Sequence, residues 1–144
     1  MTSAAPRAKQ EVFLAVLFDE APDRIQGVSR IQKVAFLMQE LGDRRTFDFT
    51  AGDYGPKTRE VYDVLHYFLR NDVVEEHEKT LEDGRVVYEY EAGPRIQSVF
   101  GHADHDDLRE VAQRVFDKYP VDDLQALLDR VYTEFPMMAR NSVY

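Results

Sequence analysis

Apolar residues recur along this chain as three helical stripes, an alternating stretch, and two further helical stripes. Lys9 to Glu20 places Val12, Phe13, Val16 and Leu17 at i, i+1, i+4 and i+5, one face of an α-helix. Ala21-Pro22-Asp23 ends that helix. Val28 to Leu41 carries Ile31, Val34, Ala35, Met38 and Leu41 on one stripe, with Ser29 as a candidate cap and Gly42 as the exit. Phe36 and Leu37 widen that stripe, which predicts a helix central to the core. In the connection 43–56, Phe47 and Phe49 alternate around Asp48 and predict a short strand. The connection ends in Asp53-Tyr54-Gly55-Pro56, and Pro56 suits the first turn of a helix, where its missing N–H costs nothing. That helix is predicted from Pro56 to about Arg70, with Val61, Val64, Leu65 and Phe68 inward and Tyr62 and Leu69 broadening the stripe.

Val73 to Glu78 and Arg85 to Glu91 flank Asp83-Gly84, a strong hairpin signal, and Val86, Tyr88 and Tyr90 alternate with Val87, Glu89 and Glu91. Asp106 to Lys118 then aligns Leu108, Val111, Ala112, Val115 and Phe116, and Tyr119-Pro120 ends it. Asp122 to Phe135 aligns Leu124, Leu127, Leu128, Val131 and Tyr132. A helix entered through a Gly-Pro turn and followed by a hairpin is the layout of a winged helix-turn-helix. The fold class expected is therefore α+β, mostly α, with a hairpin wing and C-terminal helices. Residues 1–8 read as a disordered tail and 9–100 as the winged-helix-like core. Residues 101–144 read as a helical extension that buries its stripes on the core or on a second subunit.

Length and composition narrow the classes. The 144 residues, 44% hydrophobic and 12% aromatic, suffice for a packed core. No apolar run nears the roughly 20 residues that span a bilayer. The start MTSAAPRAKQ lacks the apolar centre of a signal peptide, so a cytoplasmic protein without a membrane partner is expected. The absence of cysteine excludes disulfides and thiolate chemistry. Asp and Glu total 27 against 18 Lys and Arg, of which five are Lys, for a net charge of −9. Such a field opposes nonspecific attraction to phosphate. An acid-rich, Lys-poor composition fits both an ordinary acidic protein and one from a salt-loving cell, where the field is screened within a few ångströms.

The candidate contact residues collect around the third helix. Lys57, Thr58 and Arg59 stand where a recognition helix meets phosphate or base edges. Arg44 and Arg45 precede it, and Arg30 and Lys33 lie one turn apart on the preceding helix. Tyr54, at the turn, reads either as an aromatic anchor for a partner or as a ring packed on the adjacent helix. Arg85 near the wing tip is placed to reach a groove, although Glu75, Glu76, Glu78, Glu82 and Asp83 surround it. The bland alternative for all the cations is pairing with Asp and Glu on a solvated surface.

Catalysis finds no support in the pattern. His102-x-x-His105 with Asp104, Asp106 and Asp107 has metal-like composition, but no third ligand is indicated and caps use the same residues. His66 lies among apolar residues; Gly52, Gly55 and Gly84 belong to turns rather than to a phosphate loop; and the carboxylates are scattered. No enzyme, cofactor or metal site is assigned.

Ile31-Gln32-Lys33-Val34-Ala35-Phe36, aromatic Phe47 and Phe49, Asp53-Tyr54-Gly55-Pro56, Val61-Tyr62, Val131-Tyr132 and Phe135-Pro136 together resemble the Panacea, or SocA-type, antitoxin family and related small winged-helix proteins. The resemblance covers about residues 10 to 136, and the hairpin here is longer and more acidic than that pattern. It implies a non-enzymatic regulator that binds a protein toxin or an adaptor. Two functions follow. The leading expectation is a DNA-binding transcriptional regulator acting as a homodimer; the alternative is an antitoxin-like or adaptor protein whose partner is another protein.

Overall fold

A computed structural model describes residues 5–143. The helices are α1 (Arg7–Glu20), α2 (Val28–Leu41), α3 (Arg59–Arg70), the short α4 (Gln97–Phe100), α5 (Asp106–Lys118) and α6 (Leu124–Glu134), with a final 3-10 turn at Pro136–Ala139. The strands are β1 (Ile25–Gln26), β2 (Thr50–Gly52), β3 (Gly55–Lys57), β4 (Val74–Thr80) and β5 (Val86–Ala92). The chain is thus α+β and mostly helical. No helix among the described residues is long and apolar enough to cross a membrane.

Two antiparallel sheets result. One has the order β1-β5-β4, with Ile25 opposite Tyr90 and Val74 opposite Ala92; the other is the β2–β3 hairpin. α2 runs through the centre: every residue from Ile31 to Gln39 is buried. Around it close Phe13, Leu14 and Leu17 of α1, Leu65 and Phe68 of α3, Val111 and Val115 of α5, and Leu127 and Val131 of α6. Each such side chain contributes about 1.5–3 kcal/mol through burial. α5 packs on α1 and α2, and α6 on α2 and β3, so the stripes of both C-terminal helices join this same core.

Several sequence expectations are corrected. Arg7 and Ala8 open α1, and the Ala5 N–H donates to the Thr46 carbonyl, so the tail does not extend to residue 8; residues 1–4 of it lie outside the described residues. Phe47 and Phe49 form no strand. The Gln39 Oε1 accepts from the Thr46 N–H (2.9 Å) and the Phe47 N–H (2.7 Å), and its amide donates to the Phe47 carbonyl (3.0 Å). Backbone groups that a strand would pair are thus taken by a side chain, while Phe47 packs edge-on against Phe13. Pro56 does not start α3 but lies in β3 opposite Ala51. The two-residue turn Asp53-Tyr54 brings Gly52 opposite Gly55, whose φ of 88° suits glycine. Thr58 caps α3 instead, its hydroxyl accepting from the Glu60 N–H. Gly27, not Ser29, is the N-cap of α2. β4 and β5 run one or two residues beyond their predicted ends, and α4 and the 3-10 turn had no clear signal.

Candidate functional site

Three glutamines and one glutamate fix the start of α3. Gln32 of α2 donates to the Thr58 carbonyl (2.9 Å) and accepts from the Thr58 N–H (3.0 Å). The Glu60 carboxylate accepts from the Asp48 N–H, the Thr58 hydroxyl and the Gln10 amide of α1. Gln10 also reaches the Thr46 carbonyl, and Gln39 holds residues 46–47 as described. The far end of the hairpin is tied to the C-terminus, where Asn141 donates to the Ala51 carbonyl (2.9 Å) and the Val143 N–H to the Asp53 carbonyl (3.0 Å).

With its inner face in the core, α3 turns Arg59, Tyr62, Asp63, His66, Tyr67 and Arg70 to solvent. Tyr62 is 43% exposed and Tyr67 39%, a large aromatic area for a surface helix. Tyr62 contacts the His66 ring edge-on, and the Arg7 guanidinium lies 5.6 Å from the centre of the Tyr67 ring. Thr50, Lys57, Thr58, Arg59, Tyr62 and His66 line an open groove of about 480 Å³. On β5, Val86 and Tyr88 are exposed. Tyr90 is buried, and its hydroxyl donates to Glu76 (2.8 Å); burial first, then that hydrogen bond, pushes the hydroxyl well above the usual tyrosine range.

The residues singled out in sequence do not form one basic face. Lys57, Thr58 and Arg59 do meet at the start of α3, with Thr58 buried as the cap and the two cations exposed. Lys33, by contrast, is 2% exposed. Its ammonium donates to Ser29 Oγ (2.9 Å), and burial, with the Lys57 charge adding, lowers its pKa to about 8. It lies under Gly55, where an added Cβ would stand 3.2 Å from Lys33 Cε and 3.1 Å from Leu128 Cδ2. The i, i+3 spacing to Arg30 could not show this, because the β2–β3 hairpin and α6, which pack over α2 beside Lys33, come later in the sequence. Arg30 instead donates to the Val121 and Asp122 carbonyls of the α5–α6 link. Arg45 pairs with Asp48 (2.8 Å), and Arg44 lies 4.0 Å from Asp107. Both line a separate groove of about 640 Å³ with Lys9, Phe13 and Leu108. Arg85 is held at the tip of the β4–β5 hairpin by Asp83 (2.7 Å). Tyr54 is 52% exposed at the tip of the β2–β3 hairpin.

Sequence reasoning placed Tyr62 on the inward stripe and left Tyr67 out of the site. The signal was present: positions 59, 62, 63, 66, 67 and 70 form the face opposite Val61, Val64, Leu65 and Phe68. In the His102–Asp107 stretch, His105 bonds the Phe100 carbonyl and Asp104 caps Asp106, and no three ligating groups there converge among the described residues. No protein-family model matches this chain, and no curated protein matches it significantly.

Proposed function

We propose that this chain is a non-enzymatic winged-helix module that docks a protein partner through the outward face of α3, flanked by the wing. The order α1, β1, α2, α3, β4, β5 with sheet order β1-β5-β4 supports the winged-helix reading, the β2–β3 hairpin being an insertion between α2 and α3. The observation that carries the choice of partner is the composition of the face. Exposed Tyr62 and Tyr67 share the outward face of α3 with charges of both signs, Arg59 and Arg70 against Asp63, and Lys57 lines the same groove. Exposed tyrosines ringed by mixed charge are the common anchors of protein interfaces. A DNA-binding face instead concentrates cations, and here Arg30, Lys33, Arg44, Arg45 and Arg85 are buried, tied to carbonyls or beside carboxylates. The resemblance of the α2 and hairpin residues to the Panacea antitoxin group favours the same class.

DNA binding is the second reading, favoured by one feature. Lys57 and Arg59 form no ion pair among the described residues and stand at the helix start. The two readings part in one experiment. The protein is isolated from its own cells and bound proteins are identified, while the purified chain is titrated with duplex DNA from its own promoter at several salt concentrations. Docking through α3 predicts a stoichiometric partner whose affinity falls roughly 30-fold with Tyr62→Ala, the loss typical of an anchor residue. Salt-dependent DNA binding that falls with Lys57→Ala and Arg59→Ala, with no such partner, would overturn it in favour of the second reading.

A further inference from the structure

The wing carries a cluster of groups that the α3 face does not use. In the β4–β5 ladder Glu75 lies directly opposite Glu91, and His77 follows on the same face of β4. Two carboxylates opposite each other in an antiparallel pair repel and destabilise the ladder. They nevertheless converge on the imidazole: Glu75 Oε2 lies 3.7 Å and Glu91 Oε1 3.6 Å from His77 Nε2, and one ligating atom of each residue falls within 4.8 Å of the others. These separations are too long for hydrogen bonds, and His77 Nε2, though covered, has no hydrogen-bond partner among the described residues. They are close to those of ligands sharing one cation. With metal–ligand bonds of about 2.0–2.2 Å, tetrahedral ligand atoms stand about 3.3–3.6 Å apart.

We propose that Glu75, His77 and Glu91 form a binding site for a first-row divalent cation of the zinc class, which staples the two wing strands. One imidazole and two carboxylates favour zinc or cobalt over calcium and magnesium, which take larger all-oxygen shells. Three ligands leave a further position open to water or to a donor from a partner. The second shell is already in place. Arg24 bonds Glu91 Oε2, leaving Oε1 turned to His77. The same guanidinium is a competing positive charge, so the site is one of moderate affinity. Lys79 is directed to Glu89, which also lies near Arg24, rather than to the cluster.

The test uses the full-length, tag-free protein titrated with ZnCl2 by calorimetry and with CoCl2 by visible absorption. The expected result is one cation per chain, with affinity lowered at least ~10-fold in His77→Gln and in Glu75→Gln, and unchanged in His102→Gln. Circular dichroism establishes that the variants fold. In case they do not, histidine NMR of the wild type on adding ZnCl2 reads the site directly: the His77 ring resonances shift and those of His102 and His105 stay. No zinc binding, or binding that moves His102 or His105 and leaves His77 unmoved, overturns the proposal.

Discussion

Replacing Lys33 with methionine should stabilise the protein at neutral pH, by an amount that disappears in alkali. The amine is buried beneath Gly55 with Ser29 Oγ as its hydrogen-bond partner, and its pKa is lowered to about 8. In the unfolded chain it titrates near its ordinary value of 10.5. Between these values the unfolded state binds more protons than the folded one, so stability rises with pH across that window. Below about pH 8 the charged amine costs the fold its full penalty, about 2.5 pH units or roughly 3 kcal/mol at 1.36 kcal/mol per unit. Methionine has a similar length and no charge to desolvate, so it fills the space beneath Gly55 and removes the penalty. The assay is urea unfolding of both proteins from pH 7 to pH 10. The stability difference, Lys33→Met minus wild type, should narrow by about 2.5 kcal/mol over that range. Tyr90 and Tyr119, whose hydroxyls burial raises, are present in both proteins and cancel. A difference that stays constant with pH, or a methionine variant less stable at every pH, would refute a buried, destabilised ammonium.

Three further substitutions probe the supports of α3 and the β4–β5 hairpin. Gln32→Met strips the Thr58 N–H and carbonyl of their buried partners, at about 1–3 kcal/mol each and about 3 kcal/mol together. With an unfolding entropy of roughly 2.1 cal/mol/K per residue, that lowers Tm by ~10 °C; a melt within ~2 °C of wild type would mean that water replaces the glutamine. Gly93→Ala sets a Cβ 2.4 Å from the Asp72 carbonyl oxygen at the base of the β4–β5 hairpin, a backbone clash expected to cost ~3 kcal/mol or more. Gly84→Ala, at a φ of 88° with open space around it, should cost only about 1 kcal/mol, and equal urea midpoints for the two would contradict this account.

Elements whose signal is periodic were legible: the stripes of α1, α2, α3, α5 and α6 and the Asp-Gly hairpin needed only local pattern. The connection 43–58 was not, because its conformation is set by side chains distant in sequence. Gln39 takes the backbone groups of residues 46–47, and Gln32 locks Thr58 across 26 positions. A buried glutamine on an apolar stripe looks the same in sequence whether it is solvated or holds a loop. Pro56 misled for a related reason: its fixed φ suits a helix start and a short edge strand equally, and the pairing of Ala51 with Pro56 decided between them. Within the site, Lys57, Thr58 and Arg59 were expected in the first turn of one helix; Arg59 opens α3, Thr58 is its buried cap and Lys57 lies in β3. The burial of Lys33 was not legible because the covering α6 lies some ninety residues downstream.

The ties from Asn141 and Val143 to the β2–β3 hairpin give the fold an order in time. During synthesis the β4–β5 hairpin and the whole of α3 leave the ribosome before residues 141–143 do. The hairpin carrying Lys57 therefore lacks the bonds to Ala51 and Asp53 until residues 141–143 have emerged. A nascent chain thus presents α3 without its finished frame. Cleavage just ahead of Asn141 would return the mature protein to that juvenile state while leaving the core intact.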